Sequence, residues 1–419
     1  MNRILFILVL CGCAGSLVDH TAFNGGGTPE CIASCTTSVP GAGPLCIGST
    51  CTYECQGGRL KCAIGQGGCC DVTALSAGTS HTCAVVAGEA RCWGANDKGQ
   101  LGLAGPASSY SPVQPPGVTG TVRAIAAGWT HTCAVADGEV YGEVWCWGDN
   151  TSGQLGDGSS GAASSRPTPL KISSLSGVVT IAAGSGHTCA ATATQLFCWG
   201  RNDFGQIGDG TTSGPRLAPT AVSGVSGPLQ ALALGDSHTC AVTSSGLSCW
   251  GANGAGQLGN GTKDIGSGTP SPVSLSGASF LGLGANHSCA GDNSGALSCW
   301  GANSQGQVDN SLQDRLSPKG VLSNARAVVA GVGHTCAVTS QDMKCWGLND
   351  KEQLGGSGHE ESDVHISGVS AAAAGAKHTC AIQNGGVLCW GWNNMGQLGS
   401  DPATTPTGSR PDPGSVSGR

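Results

Sequence analysis

One phrase recurs seven times along this chain, and its recurrence limits the possible folds more than any other feature. At positions 81–102 it reads HTCAVVAGEARCWGANDKGQLG. Its histidine returns as His81, His131, His187, His238, His287, His334 and His378. The Cys-Trp pair returns at Cys92-Trp93, Cys146-Trp147, Cys198-Trp199, Cys249-Trp250, Cys299-Trp300, Cys345-Trp346 and Cys389-Trp390. Successive copies lie between 44 residues (His334 to His378) and 56 residues (His131 to His187) apart. Repeats of this length made of short strands belong to propellers and related arrays, where each unit buries its apolar face only against its neighbours.

Each copy divides into four short strands. In the third, RPTPLKI is an edge-type strand, because proline lacks the N–H that a central strand must donate. VVTIAAG is an apolar strand ended by glycine, HTCAATA and LFCWG form a hairpin, and RNDFGQIGDG is a glycine-rich crossing to the next unit. Runs that are apolar on both faces suit strands sandwiched between blades. Four strands per unit and seven units give an all-β, seven-bladed ring. The 72 glycines fit such a turn-rich chain, and without a G-X-Y period they exclude collagen.

The units HTCAV…CWGxNxxGQLG resemble the repeat of the regulator of chromosome condensation (RCC1) family. The resemblance covers residues 71–399 and implies a seven-bladed β-propeller. Two copies depart from it. The sixth has Glu352 in place of a glycine, and the fifth reads Gly306-Gln307-Val308-Asp309 and loses its last glycine. The first copy also has no proline-rich strand before it. The tail SRPDPGSVSG at 409–418 resembles SRPTPLKISS at 165–174. The expectation is that this tail supplies the missing strand of the first blade and clasps the ring, making 71–419 one domain.

The start of the chain indicates the compartment. Met1-Asn2-Arg3 followed by an apolar run from Ile4 to Leu10 reads as a secretory leader, too short to span a bilayer. Leu10-Cys11-Gly12-Cys13 resembles the lipobox of bacterial lipoproteins, with Cys13 the lipidated residue because the small Gly12 precedes it. This bounds a leader at 1–13, with an ordinary cleavage near Ala14 as the alternative. Residues 14–30 read as a tether. Residues 31–70 hold Cys31, Cys35, Cys46, Cys51, Cys55, Cys62, Cys69 and Cys70, an even count that implies a small disulfide-rich module of unreadable connectivity. The expected location is the bacterial outer membrane and cell surface, or secretion. Membrane contact is expected only through an N-terminal lipid anchor.

Such a compartment preserves disulfides. If Cys83 lies opposite Cys92, Ala84 meets Arg91, Val85 meets Ala90 and Val86 meets Glu89, leaving a two-residue turn. Opposed residues at a non-hydrogen-bonded position bring Cα atoms to about 4.5 Å, within disulfide range. The same spacing recurs for Cys189/Cys198, Cys240/Cys249, Cys336/Cys345 and Cys380/Cys389. Cys133/Cys146 needs a longer hairpin at 137–142. Cys289/Cys299 needs an odd loop, which DNSG at 292–295 suits with glycine in the left-handed position. Seven intrablade disulfides are therefore expected.

A metal site from His81, Cys83 and Cys92 is the rival, since all three share one face of the hairpin. The oxidising compartment and the direct opposition of the sulfurs favour disulfides, so no metal and no cofactor are expected. The histidines are then expected to bond backbone near the blade turns, and the tryptophans to pack between blades from the other face. The GxxGQLG tails lack the strand–loop–helix setting and Lys-Ser/Thr of a phosphate loop and read as turns of positive φ.

The net charge of −7 and the absence of a basic run exclude a backbone-contacting nucleic-acid binder. No nucleophile–base set stands above the repeats, so the chain is expected to be a non-enzymatic binding or scaffold protein. It is expected to be a monomer that recognises an unknown protein or glycan. The family resemblance implies, as an alternative, guanine-nucleotide exchange of the kind its eukaryotic members perform. A third class is an inhibitor or ligand of a secreted enzyme. Residues that break the repeat are the candidate contacts: Tyr110 in the segment 103–116, Tyr141 and Trp145 in the longer hairpin DGEVYGEVW at 137–145, Trp392 after the last repeat glycine, and the acidic loop GHEESDVH at 358–365.

Overall fold

The computed structural model describes residues 69–419 except 226, 357–361, 365, 405–407 and 417–419, together with short strands at Ala42–Ile47, Thr50–Cys55 and Leu60–Lys61. Among the described residues, seven four-stranded antiparallel sheets follow one another along the chain and form the blades of a propeller. Blade 1 runs Val72–Ala77, His81–Val86, Glu89–Ala95 and Ser108–Val113 from the axis outward. Blade 7 runs Val369–Ala374, His378–Gln383, Gly386–Trp392 and Ser409–Ser415.

The expected clasp is therefore corrected. Ser409–Ser415 pairs with Gly386–Trp392 of its own blade, and the outer strand of blade 1 is Ser108–Val113. The proline-rich strands close the blade that precedes them in sequence, as Arg166–Lys171 does for blade 2. The unit begins one strand later than the sequence reading placed it, and each blade is a contiguous stretch of chain.

The ring closes by packing. Trp93 of blade 1 lies in one core with Cys380, Cys389 and Leu398 of blade 7. This is the arrangement of every seam: the disulfide of one blade is covered by the tryptophan of the next, as Cys133–Cys146 is by Trp199 and Cys240–Cys249 by Trp300. Leu60, ahead of the propeller, is buried in the same core as Trp93, so the strand Leu60–Lys61 packs on the seam between blades 7 and 1. Cys69 and Cys70 are both disulfide-bonded.

All seven expected hairpin disulfides are present, with Cα–Cα separations of 4.0 to 4.1 Å. The fifth hairpin has the odd loop that its spacing required, with Asp292 N–H bonding Ala296 O and Gly295 at φ 90°. The Trp-Gly pair has its own steric reason. Gly94 sits at φ 104°, and a Cβ there would press on Ser80 O and His81 Cα while facing the Gln397 backbone of the neighbouring blade.

Leader residues 1–13 with Cys13, the tether 14–30, the cysteines from Cys31 to Cys62 as side chains, and most of the acidic loop 358–365 lie outside the described residues.

Candidate functional site

The antiparallel order gives the disc two different faces. The turns between the inner and second strands, such as Gly78–Ser80, share one face with the long crossings that carry GQLG. The hairpin tips and the connections between blades lie on the other face, as does the entry of the chain into blade 1.

On the first face a belt of hydrogen bonds runs round the ring. His81 Nε2 lies 3.0 Å from Thr132 Oγ1 of the next blade, and the relation repeats from His131 to Thr188, His187 to Thr239, His238 to Ser288, His287 to Thr335, His334 to Thr379 and His378 back to Thr82. Each hydroxyl donates to a repeat-glutamine backbone carbonyl, as Thr132 does to Gln100 O at 2.8 Å. Its proton is thereby committed, so the histidine must be the donor, with its proton on Nε2. This corrects the expected backbone partners: six rings bond hydroxyls about fifty residues away in sequence, and His378 closes the ring on Thr82. The same glutamine carbonyl also receives the indole N–H of the repeat tryptophan, as from Trp147 at 2.9 Å. The GQLG tail is thus an acceptor station between blades, held by Asn96 Oδ1 accepting from Leu101 N and Gln100 Oε1 from Lys98 N.

The histidines are fully buried, and desolvation lowers them to about 3 or 4. They are not ligands: the sulfurs beside them are in disulfides, and among the described residues no group of three or more His, Cys, Asp or Glu could hold a metal. Each ring packs on the glycine that ends the inner strand. A Cβ on Gly78 would run into the His81 ring and the Gly128 carbonyl.

After that glycine come two variable positions per blade, of which the first faces the axis: Thr79, Trp129, Ser185, Asp236, Ala285, Val332 and Ala376. These seven residues surround the mouth of the central channel, a cavity of about 80 Å³. The channel below is lined by small residues such as Ala77, Ala127, Ala183 and Gly282, because seven converging strands leave little room at the axis. Backbone bonds fix the rim: Thr79 N to Trp129 O, Trp129 N to Gly184 O, Asp236 N to Ala285 O, Ala285 N to Gly331 O and Val332 N to Ala376 O. Ser185 Oγ donates to Asp236 O at 2.7 Å and bridges the step from blade 3 to blade 4.

Trp129 is 43% exposed here, whereas six of the seven repeat tryptophans are fully buried. Asp236 is its neighbour across blade 3. Burial raises its carboxyl to about 6, opposed by hydrogen bonding from Trp129 and by the charge of Arg201. Sequence reading singled out neither residue. Aligning the seven copies on the histidine leaves two variable positions before it, and the alignment alone does not say which of them faces the axis.

The candidates chosen from the sequence do not converge. Tyr110 lies in the outer strand of blade 1 against Gly396, where Pro167 stands against Gly99 in the next blade, so it fills a repeat position. Tyr141 is exposed on the opposite face, with the Arg123 guanidinium 4.4 Å from its ring centre and its carbonyl accepting from Gly177 N. Trp145 is half-buried against the core between blades 1 and 2, with Lys171 6.0 Å from its ring centre. Trp392 is half-buried at the end of Gly386–Trp392, its N–H bonded to Lys377 O.

A family model described as RCC1-like domain matches residues 58–322 and 143–418. The ultraviolet-B receptor UVR8 of Arabidopsis thaliana is 34% identical over 299 residues, covering 68% of this chain and 67% of the receptor. The human E3 ubiquitin-protein ligase HERC2 is 31% identical over 198 residues, but the match spans 4% of that protein's length. Among solved structures, Prp20p of Saccharomyces cerevisiae, studied for binding to Gsp1p and histones, superposes with a TM-score of 0.66 at 20% identity, covering 83% of this chain and 87% of that one. Human WBSCR16 gives the same TM-score and identity, covering 78% and 93%.

Proposed function

This chain belongs to the RCC1-like domain family, and from that premise we propose that it is a non-enzymatic recognition protein whose partner docks on the face bearing the channel mouth. One observation carries the reading. In a ring whose repeated positions are used for scaffold, the variable position that lines the mouth presents an exposed Trp129 beside a desolvated Asp236. Exposed tryptophan on a rigid rim is the usual form of an energetic anchor. Strand Val72–Ala77 of blade 1 is entered from the opposite face.

The partner is a protein, as Prp20p's Gsp1p and histones are proteins. Glycan recognition has no comparable support, since the mouth is narrow and mostly Gly and Ala. The proposed setting is the bacterial cell surface or the medium, with Cys13 as lipid anchor. Seven buried disulfides and the leader-like start support it. That setting disfavours exchange on a cytosolic GTPase.

The test uses photo-crosslinking residues placed one at a time at Thr79, Val332 and, on the opposite face, Val179. The reading expects one shared protein adduct from the first two positions and none from the third. Adducts only from Val179 would overturn it. Labelled palmitate incorporation, lost in Cys13→Ser, tests the anchor separately.

A further inference from the structure

We propose that the channel mouth receives a single cationic side chain of the docked partner, a lysine ammonium or arginine guanidinium, between the carboxylate of Asp236 and the indole of Trp129. The inference rests on the reading that the partner docks on this face. Asp236 is the one ionisable residue and Trp129 the one aromatic among those lining the mouth. The remaining lining is glycine, small or aliphatic residues, Thr79 and Ser185, and the Ser185 hydroxyl proton is committed to Asp236 O. In such surroundings the carboxylate is poorly solvated, with the hydrogen bond from Trp129 and the charge of Arg201 offsetting its burial only in part, and a cation is the ligand that compensates it best.

The indole supplies the second half of the recognition. A cation over an aromatic face is attracted by the ring quadrupole, and more strongly where water is excluded. The cavity of about 80 Å³ admits the end of one side chain and no larger group. Backbone bonds around the rim hold both residues in place before any ligand arrives, so little ordering cost remains. Among the described residues, no lysine, arginine or histidine lines the mouth. Arg201, whose charge acts on Asp236, is paired with Asp203 at 2.6 Å and stacks near Phe204. A metal ion is a poor fit, because one carboxylate is far from a full ligand set.

The experiment follows the indole N–H resonance of Trp129 in the intact ¹⁵N-labelled protein, assigned by its absence in Trp129→Phe. The probes are n-butylammonium and n-butylguanidinium, with n-butanol as the neutral control. The proposal expects a saturable shift with either cation and at least tenfold weaker binding in Asp236→Asn. It expects no saturable shift with butanol. Folding of the variant is checked by the resonances of the buried repeat tryptophans, and Asp236→Ser replaces it if it fails to fold. No saturation by either cation, equal binding to the variant, or an equal response to butanol would each overturn the proposal. Crosslinking at Thr79 and Val332 without cation binding would sink the pocket and leave the docking face standing. Cation binding without those adducts would do the reverse.

Discussion

The indole N–H of Trp93 donates to the backbone carbonyl of Gln397 at 3.0 Å, joining residues 304 positions apart across the seam where the ring closes. The same carbonyl accepts from Thr82 Oγ1, also at 3.0 Å. The seam is chemically the same as the other six. We therefore predict that Trp93→Ala costs about 3–5 kcal/mol, as for other large buried side chains removed. Trp93→Phe keeps the ring contact but loses the N–H and some volume, and should cost about 1–2 kcal/mol. Denaturant melts of both variants check this. Equal losses would mean that the hydrogen bond, not the packing, holds the seam.

The hairpin disulfides have no solvent-exposed surface at either cysteine, and each lies beneath a neighbouring tryptophan. Dithiothreitol should therefore leave all seven intact in the folded protein. Alkylation and mass spectrometry should find them reduced only once denaturant opens the blades. Replacing Cys189 and Cys198 together by Ala should cost about 2–3 kcal/mol from the freed hairpin loop. Rapid reduction without denaturant would contradict the packing described.

Acid should unfold this protein early. Each belt histidine is neutral in the fold, lowered to about 3 or 4, while in the unfolded chain it binds a proton below about 6.5. The unfolded state thus holds more protons between those values. Stability is full above about pH 6.5 and falls as pH drops toward 4, by up to about 1.4 kcal/mol per unit for each histidine. Their Nδ1 atoms have no hydrogen-bond partner, so an added proton would have no acceptor. Chemical denaturation at pH 7, 6 and 5 reads this out, and a flat profile would refute it.

Asp236 titrates with the opposite sign. Its folded value, raised to about 6, lies above that of the unfolded chain. Its contribution is present at low pH and is lost as pH rises through about 6. Asp236→Asn should therefore stabilise the protein at pH 7 by roughly 1–3 kcal/mol and change little near pH 4. Such a gain would mark Asp236 as a residue kept at the expense of the fold. Unchanged stability at pH 7 would show that the carboxylate is well solvated.

Much of this molecule was legible from the repeat. Blade number, disulfide pairing and the odd loop near Gly295 all follow from local spacing, which is set by short antiparallel hairpins. What failed was the frame. Periodicity fixes the length of a unit but not where it starts, and with each outer strand counted to the unit after it, blade 1 looked one strand short. The kinship between 165–174 and 409–418 was sound, since both are outer strands. The histidine partners were hidden because His81 and Thr132 meet only once blades stack. Trp129 and Asp236 were hidden for another reason: no spacing rule marks residues that become neighbours only around an axis.

The belt from His81 round to His378 and back to Thr82 makes blade 7 to blade 1 a contact like any other. Energetically this circle has no first or last member, although the polypeptide does. Joining the end of blade 7 to the start of blade 1 and opening the chain at another interblade connection should give a circular permutant with the same native ring. The order in which the blades are written in the gene is then a record of descent rather than a requirement of the architecture.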